Sequence, residues 1–196
     1  MPEDTQLSDS DGIFLVKTAR MAVTEFLSNG KRMKLESERE KKFSFNSGVF
    51  VTLNNADGLR GCIGFPMPDK KLSHGIIDAA IAAATEDPRF SPVKINELND
   101  IVFEVTVLTP PVEITVTDPM EYLEKIKVGR DGLIIRNSFS SGLLLPQVPV
   151  EYGWNVEEFL QHTCEKAGLE KNTWKNEKVK IEKFEGIVYK EETNGS

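Results

Sequence analysis

Val49-Phe50-Val51-Thr52-Leu53-Asn54-Asn55-Ala56-Asp57-Gly58-Leu59-Arg60-Gly61-Cys62-Ile63-Gly64 reads as a β-hairpin, and that reading decides the fold. The β-branched, aromatic-rich run Val49 to Leu53 is a strand, Asn54 to Gly58 is a turn, and Leu59 to Ile63 is the returning arm. The returning arm carries a cation, Arg60, and a thiol, Cys62, interleaved with Gly61 and Gly64. Glycine permits close approach to the backbone, and the arginine fork suits a carboxylate or phosphate. This arm is therefore the expected ligand-facing segment.

Outward from the hairpin, helical patterns alternate irregularly with strand patterns. Leu15, Ala19, Ala22 and Phe26 recur at helical spacing, so a helix is expected from a cap at Asp9 or Ser10 to about Ser28, with Asn29-Gly30 as its stop. Lys31 to Lys42 mixes basic residues with Glu36, Glu38 and Glu40 and reads as a solvated connection. Leu72, Ile76, Ala80 and Ala83 mark a second helix ending near Thr85. The proline-rich Asp87-Pro88-Arg89-Phe90-Ser91-Pro92 is then an ordered loop. Ile101 to Leu108 is the clearest strand, with Ile101, Phe103, Val105 and Val107 on one face. Further strands are expected at Val112 to Val116, Leu133 to Arg136, Leu143 to Leu145 and Val179 to Phe184. Asp118-Pro119 opens a short helix through Ile126, and Asn155 with Glu158 opens another that Gly168 closes. Without regular β-α-β alternation, the fold class is α+β with a largely antiparallel sheet flanked by helices.

The 196 residues form one domain, or two lobes sharing a core, with flexible tails at 1–9 and 191–196. A net charge of -7 argues against general nucleic-acid binding. No apolar run approaches the ~20 residues that span a bilayer, and the acidic start Met1-Pro2-Glu3-Asp4 is no secretory signal. Two cysteines far apart in sequence point to a reducing compartment, so a cytoplasmic protein is expected.

Several segments together resemble the AMMECR-one family. They are Gly48 to Leu53, Leu59-Arg60-Gly61-Cys62-Ile63-Gly64, Asp87-Pro88-Arg89-Phe90-Ser91-Pro92, Gly132-Leu133 and Leu143-Leu144-Leu145-Pro146-Gln147-Val148. Trp154, Phe159, Cys164, Lys166-Ala167-Gly168-Leu169 and Trp174 extend the match. Pro149 departs from the alanine expected there. The resemblance implies two unequal lobes, the smaller formed by the middle of the chain, and a cleft between them lined by the six-residue motif. It also implies a pathway link to Memo-like and radical-SAM proteins, and it supplies no mechanism.

The candidate site residues follow from their chemistry. Cys62 as a nucleophile needs a base, a cation or a helix N-terminus to activate it. Its plainer reading is a small buried hydrophobe, and a ligand-facing but unreactive thiol is favoured between the two. Arg60 shares its strand face and is expected to lend it charge. Arg60 and Arg89 are expected to anchor an anion, beside Gly61, Gly64 and Phe90; Arg89 alternatively pairs with Asp87 or a helix C-terminus. Glu104 interrupts an apolar strand on the face opposite Phe103 and Val105, as a general base or as a solvated carboxylate. Gln147, at a strand end, reads a polar edge or satisfies loop backbone. His162 and Cys164, two apart on a helix, point to different sides, so no metal is expected, and without a Walker loop or a dinucleotide glycine motif no other cofactor is expected.

Two readings of function follow. In the first, the protein is an enzyme, or a former one, that binds a small anionic metabolite through Arg60 and Arg89, with Cys62 and Glu104 at the reacting end. In the second, the same residues grip a peptide or protein partner in a non-catalytic adaptor. Residue types lean to the first.

Overall fold

The computed structural model describes residues 7–176 and 179–192. The chain divides into two compact units. The first runs to Leu108 and resumes at Ile187; the second is Thr109–Gly186.

The first unit opens with helix α1, Asp9–Asn29. Its cap is Ser8, one position before the expected residues, because Ser8 and Asp11 satisfy each other's backbone N–H groups in a capping box. Gly30, at φ 72°, closes it in the left-handed conformation that glycine adopts without strain. The connection after α1 is more ordered than its charge pattern suggests. It holds the short helix α2, Ser37–Lys42, and inserts Met33 and Phe43 into the core as anchors.

Strands β1, Val49–Asn55, and β2, Gly58–Phe65, form the hairpin. Helix α3, Leu72–Thr85, covers one face with a nearly continuous alanine and isoleucine surface, and strand β3, Val102–Leu108, pairs with β1 on the other side from β2. Val49, Val51, Leu53, Phe103 and Val105 are fully buried against α1 and α3. Helix α3 packs closely because its surface is mostly alanine: at Gly61 of β2, a Cβ would lie 2.2 Å from the Ala83 carbonyl oxygen. Only glycine allows that approach.

The second unit has its own core around Leu133, Ile135, Phe159, Leu160, Cys164 and Trp174. Strand β4 is only Val112–Glu113, shorter than expected. A 3-10 turn at Pro119–Glu121, capped by Asp118, leads into α4, Tyr122–Lys125. Strands β5, Asp131–Arg136, and β6, Ser141–Leu144, are antiparallel. Then comes a helix in place of the expected loop, α5, Gln147–Tyr152. Pro149 sits in its first turn, where a missing N–H costs nothing. Helix α6, Val156–Lys166, has the expected Asn155–Glu158 capping box.

Strand β7, Lys180–Lys190, is longer than the sequence pattern suggests. Its first part pairs with β4 and β5, and its last residues run beside β3. The expected flexible tail is corrected at both inner ends. Ser8 and Asp9 belong to the α1 cap and first turn. Glu191 is held by Arg20 Nη2 at 2.6 Å and by the Phe103 N–H at 3.0 Å. The rest of both expected tails, 1–6 and 193–196, lies outside the described residues. All pairings resolved within each unit are antiparallel, so the α+β class holds.

Candidate functional site

The hairpin register puts the chemistry in one place. A two-residue turn pairs Asn55 with Gly58, and a regular ladder would then set Cys62 opposite the buried Val51. Instead the register shifts after Asn54↔Leu59, leaving Arg60 as the extra residue of a β-bulge. From there Leu53 faces Gly61 and Thr52 faces Cys62. A shift of one residue exchanges the faces, so the bulge moves the thiol from the core register to the opposite one. The Thr52 hydroxyl donates to Cys62 Sγ at 3.3 Å. Across β1, Thr52 is in register with Glu104 of β3. Cys62, Thr52 and Glu104 thus form one cross-strand row, each half-buried. Adjacent strands are about 4.8 Å apart, so the thiol and the carboxylate straddle Thr52 roughly 9–10 Å apart at the backbone.

The Glu104 side chain makes no hydrogen bond or ion pair with the described residues, which leaves its carboxylate as an uncommitted acceptor on this face. Among the described residues the Cys62 Sγ contact is the Thr52 hydroxyl; His74 pairs with Glu40 and His162 with Glu165.

The two arginines do different work from that expected. Strand β2 lies at the end of the strand order, so its outer edge has no strand partner. The loop after α3 covers that edge. Asp87 Oδ2 accepts the Cys62 N–H at 2.8 Å, and Arg89 Nη2 donates to the Cys62 carbonyl at 3.4 Å. Together they give Cys62 what a neighbouring strand would supply. Arg89 also forks onto Asp87, with Nε–Oδ1 at 3.0 Å and Nη2–Oδ2 at 2.8 Å. The Arg89 guanidinium, with N–H donors from Cys62 and Arg89 itself, holds the buried Asp87 carboxyl far below the usual carboxylate range, against the opposing effect of burial. Arg60 extends the same clasp. Its Nε meets Glu97 Oε2 at 2.9 Å, and its Nη1 meets the Ser91 carbonyl at 2.9 Å. Arg60 also lowers the Glu97 carboxyl. The expectation that Arg60 lends charge to Cys62 is therefore corrected: its guanidinium is turned to Glu97, because the bulge takes it out of the regular ladder. Of the two readings of Arg89, the pairing with Asp87 is the one the structure displays.

The remaining candidates have structural roles or lie elsewhere. Gly61 admits the Ala83 carbonyl, and Gly64 admits the Phe50 ring, which a Cβ would meet at 2.3 Å. Phe90 is half-buried beneath the Arg89 guanidinium, which lies 5.6 Å from its ring centre. Gln147 is exposed at the first position of α5 in the second unit and is not at a strand end. Cys164 is fully buried, and burial pushes its thiol up to about 11. No group of three or more His, Cys, Asp or Glu residues suited to a metal occurs among the described residues. Thr52, Asp87 and Glu97 complete the arrangement, although sequence reasoning passed over Thr52 and Glu97. No sequence signal marked Thr52, since its pairing with Cys62 depends on the bulge.

This architecture defines an α+β protein whose antiparallel hairpin carries an edge-covered Leu-Arg-Gly-Cys-Ile-Gly motif. The AMMECR1 family profile matches residues 16–189. The chain belongs to that family. It is similar to protein MJ0810 of Methanocaldococcus jannaschii, with 51% identity over 94% of this chain and 92% of that one. Protein PYRAB00100 of Pyrococcus abyssi is 48% identical over 95% and 93%. The crystal structure of protein PH0010 from Pyrococcus horikoshii superposes with a TM-score of 0.76 at 49% identity, covering 95% of this chain and 94% of that chain. No helix among the described residues is long and apolar enough to cross a membrane.

Proposed function

We propose that the Cys62–Thr52–Glu104 row is a ligand-binding face for a small molecule that brings its own hydrogen-bond donors, such as an amine or amide. The observation that carries this reading is the uncommitted, half-buried Glu104 carboxylate in register with Thr52 and Cys62. Half-burial raises the worth of a charge-assisted hydrogen bond to such a carboxylate. An anionic ligand anchored on Arg60 and Arg89 fits less well, since those forks meet Glu97 and Asp87. The thiol lines the face as a soft, polarisable contact. Nucleophilic use of it would need an activating base or cation, and its side-chain partner among the described residues is a neutral hydroxyl.

The test is a thermal-shift screen of the full chain against small amines, amides, carboxylates and phosphates. Stabilisation by mass action is expected from the donor-bearing classes and is expected to vanish in Glu104→Gln. Hits confined to carboxylates and phosphates, or hits that survive Glu104→Gln, would overturn the reading.

A further inference from the structure

The sheet face that carries the Cys62 row holds a second register beside it. Side chains two positions apart on a strand share a face, so Phe50 of β1 lies next to Thr52, and Gly64 of β2 next to Cys62. Phe50 is in register with Gly64 on one side and with Thr106 on the other. The two registers together set Phe50, Thr52, Cys62, Gly64, Glu104 and Thr106 on one face, turned away from the core that α1 and α3 cover.

Phe50 is the informative residue. A Cβ on Gly64 would lie 2.3 Å from Cδ1 and 2.4 Å from Cγ of the Phe50 ring, so the ring lies across β2 at Gly64, next along the strand from Cys62. Among the described residues Phe50 packs into neither hydrophobic core, whereas Phe45, Ile63 and Phe65 pack against the first. It is half-buried and keeps part of its surface accessible. Covering a strand glycine supports the sheet, and that role occupies one side of the ring.

Glu104 is the one charged residue of the six. A ring and an uncommitted carboxylate therefore stand at opposite corners of the two registers, over β2 and on β3. Two strand spacings and a two-residue step separate Gly64 from Glu104, roughly 12 Å at the backbone. The two groups select different parts of one molecule. A flat aromatic group stacks on the ring, and a cationic amine meets the carboxylate in a charge-assisted hydrogen bond. The Cys62 sulfur between them suits the edge of an aromatic ligand.

We infer that the ligand of this face is an arylalkylamine, its ring stacked on Phe50 and its ammonium group on Glu104. The inference rests on the reading of the row as a ligand-binding face and narrows the donor-bearing class to amines that carry an aromatic ring.

2-Phenylethylamine and 2-cyclohexylethylamine are the probes, titrated into the full chain by isothermal titration calorimetry. Both are cationic at pH 7, and the cyclohexyl group is the larger apolar body, so burial alone favours it. Stacking reverses the order, and the phenyl compound is expected to bind about three-fold more tightly. Phe50→Leu is expected to remove that preference and Phe50→Tyr to keep it, while Glu104→Gln abolishes binding of both compounds. Equal affinities, tighter binding of the cyclohexyl compound, or a phenyl preference that survives Phe50→Leu would overturn the aryl assignment and leave the row reading standing, provided Glu104→Gln still abolishes binding. No binding of either amine also overturns the inference; the row reading falls with it only if no donor-bearing compound of the thermal-shift screen depends on Glu104.

Discussion

At the residue scale, the decisive group is Asp87. A carboxylate 5% exposed accepts from a strand N–H, from its own loop's N–H and from a guanidinium, so it replaces a missing strand neighbour. Asp87→Asn keeps the shape but removes the charge that holds Arg89 across the edge. It is expected to cost about 2–4 kcal/mol, in the range for breaking one side of a buried ion pair, read as a fall in denaturation midpoint at unchanged m-value. The pH dependence has a definite sign. The Asp87 pKa is lowered in the fold, so its stabilisation is complete above the ordinary carboxylate pKa near 4 and is lost as pH falls toward the lower folded value. Acid titration of the wild type and Asp87→Asn should therefore show their stabilities converging below pH ~4. A gap that stays constant down to pH ~2 would mean that the charge contributes nothing.

At the element scale, the hairpin is held by close approaches that leave no room for side chains. Gly61→Ala would press a methyl group into the Ala83 carbonyl at 2.2 Å, and neither backbone can yield cheaply. A loss of about 1–3 kcal/mol is expected, the usual cost of overpacking, measured by urea denaturation. The sequence showed the glycines but assigned them to a ligand, because a glycine that faces a helix backbone looks the same in sequence as one that faces a substrate. The bulge at Arg60 was equally hidden. It depends on tertiary pairing, and without it the alternation of β2 sets Cys62 opposite Val51. By contrast, α3 and α6 were legible at nearly their full extent, since apolar spacing and the Asn155–Glu158 box are local signals. Helix α5 was missed because Gln147, just after the apolar run Leu143 to Leu145, reads as a strand end, whereas it opens the helix.

At the scale of the whole molecule, the α+β class followed from the irregular order of elements, and the family resemblance carried through nearly the whole chain. What could not be read was which polar residues meet. Arg20 reaches Glu191 across 171 positions, and Arg60 reaches Glu97 in a 3-10 turn, Ile95–Asp100, that has no pattern of its own. Glu191→Ala is expected to release Arg20 and the Phe103 N–H together, raising hydrogen exchange at the end of β7 more than in α3. Uniform exchange across both elements would show that this tie is not local.

A ligand can bind at Cys62, Thr52 and Glu104 only if their row faces accessible space. Native protein treated with iodoacetamide and mapped by mass spectrometry reads this directly, with the fully buried Cys164 as an internal control. One carbamidomethyl group at Cys62 and none at Cys164 is the expected result. Both cysteines silent until denaturant is added would contradict a ligand-binding face at this row.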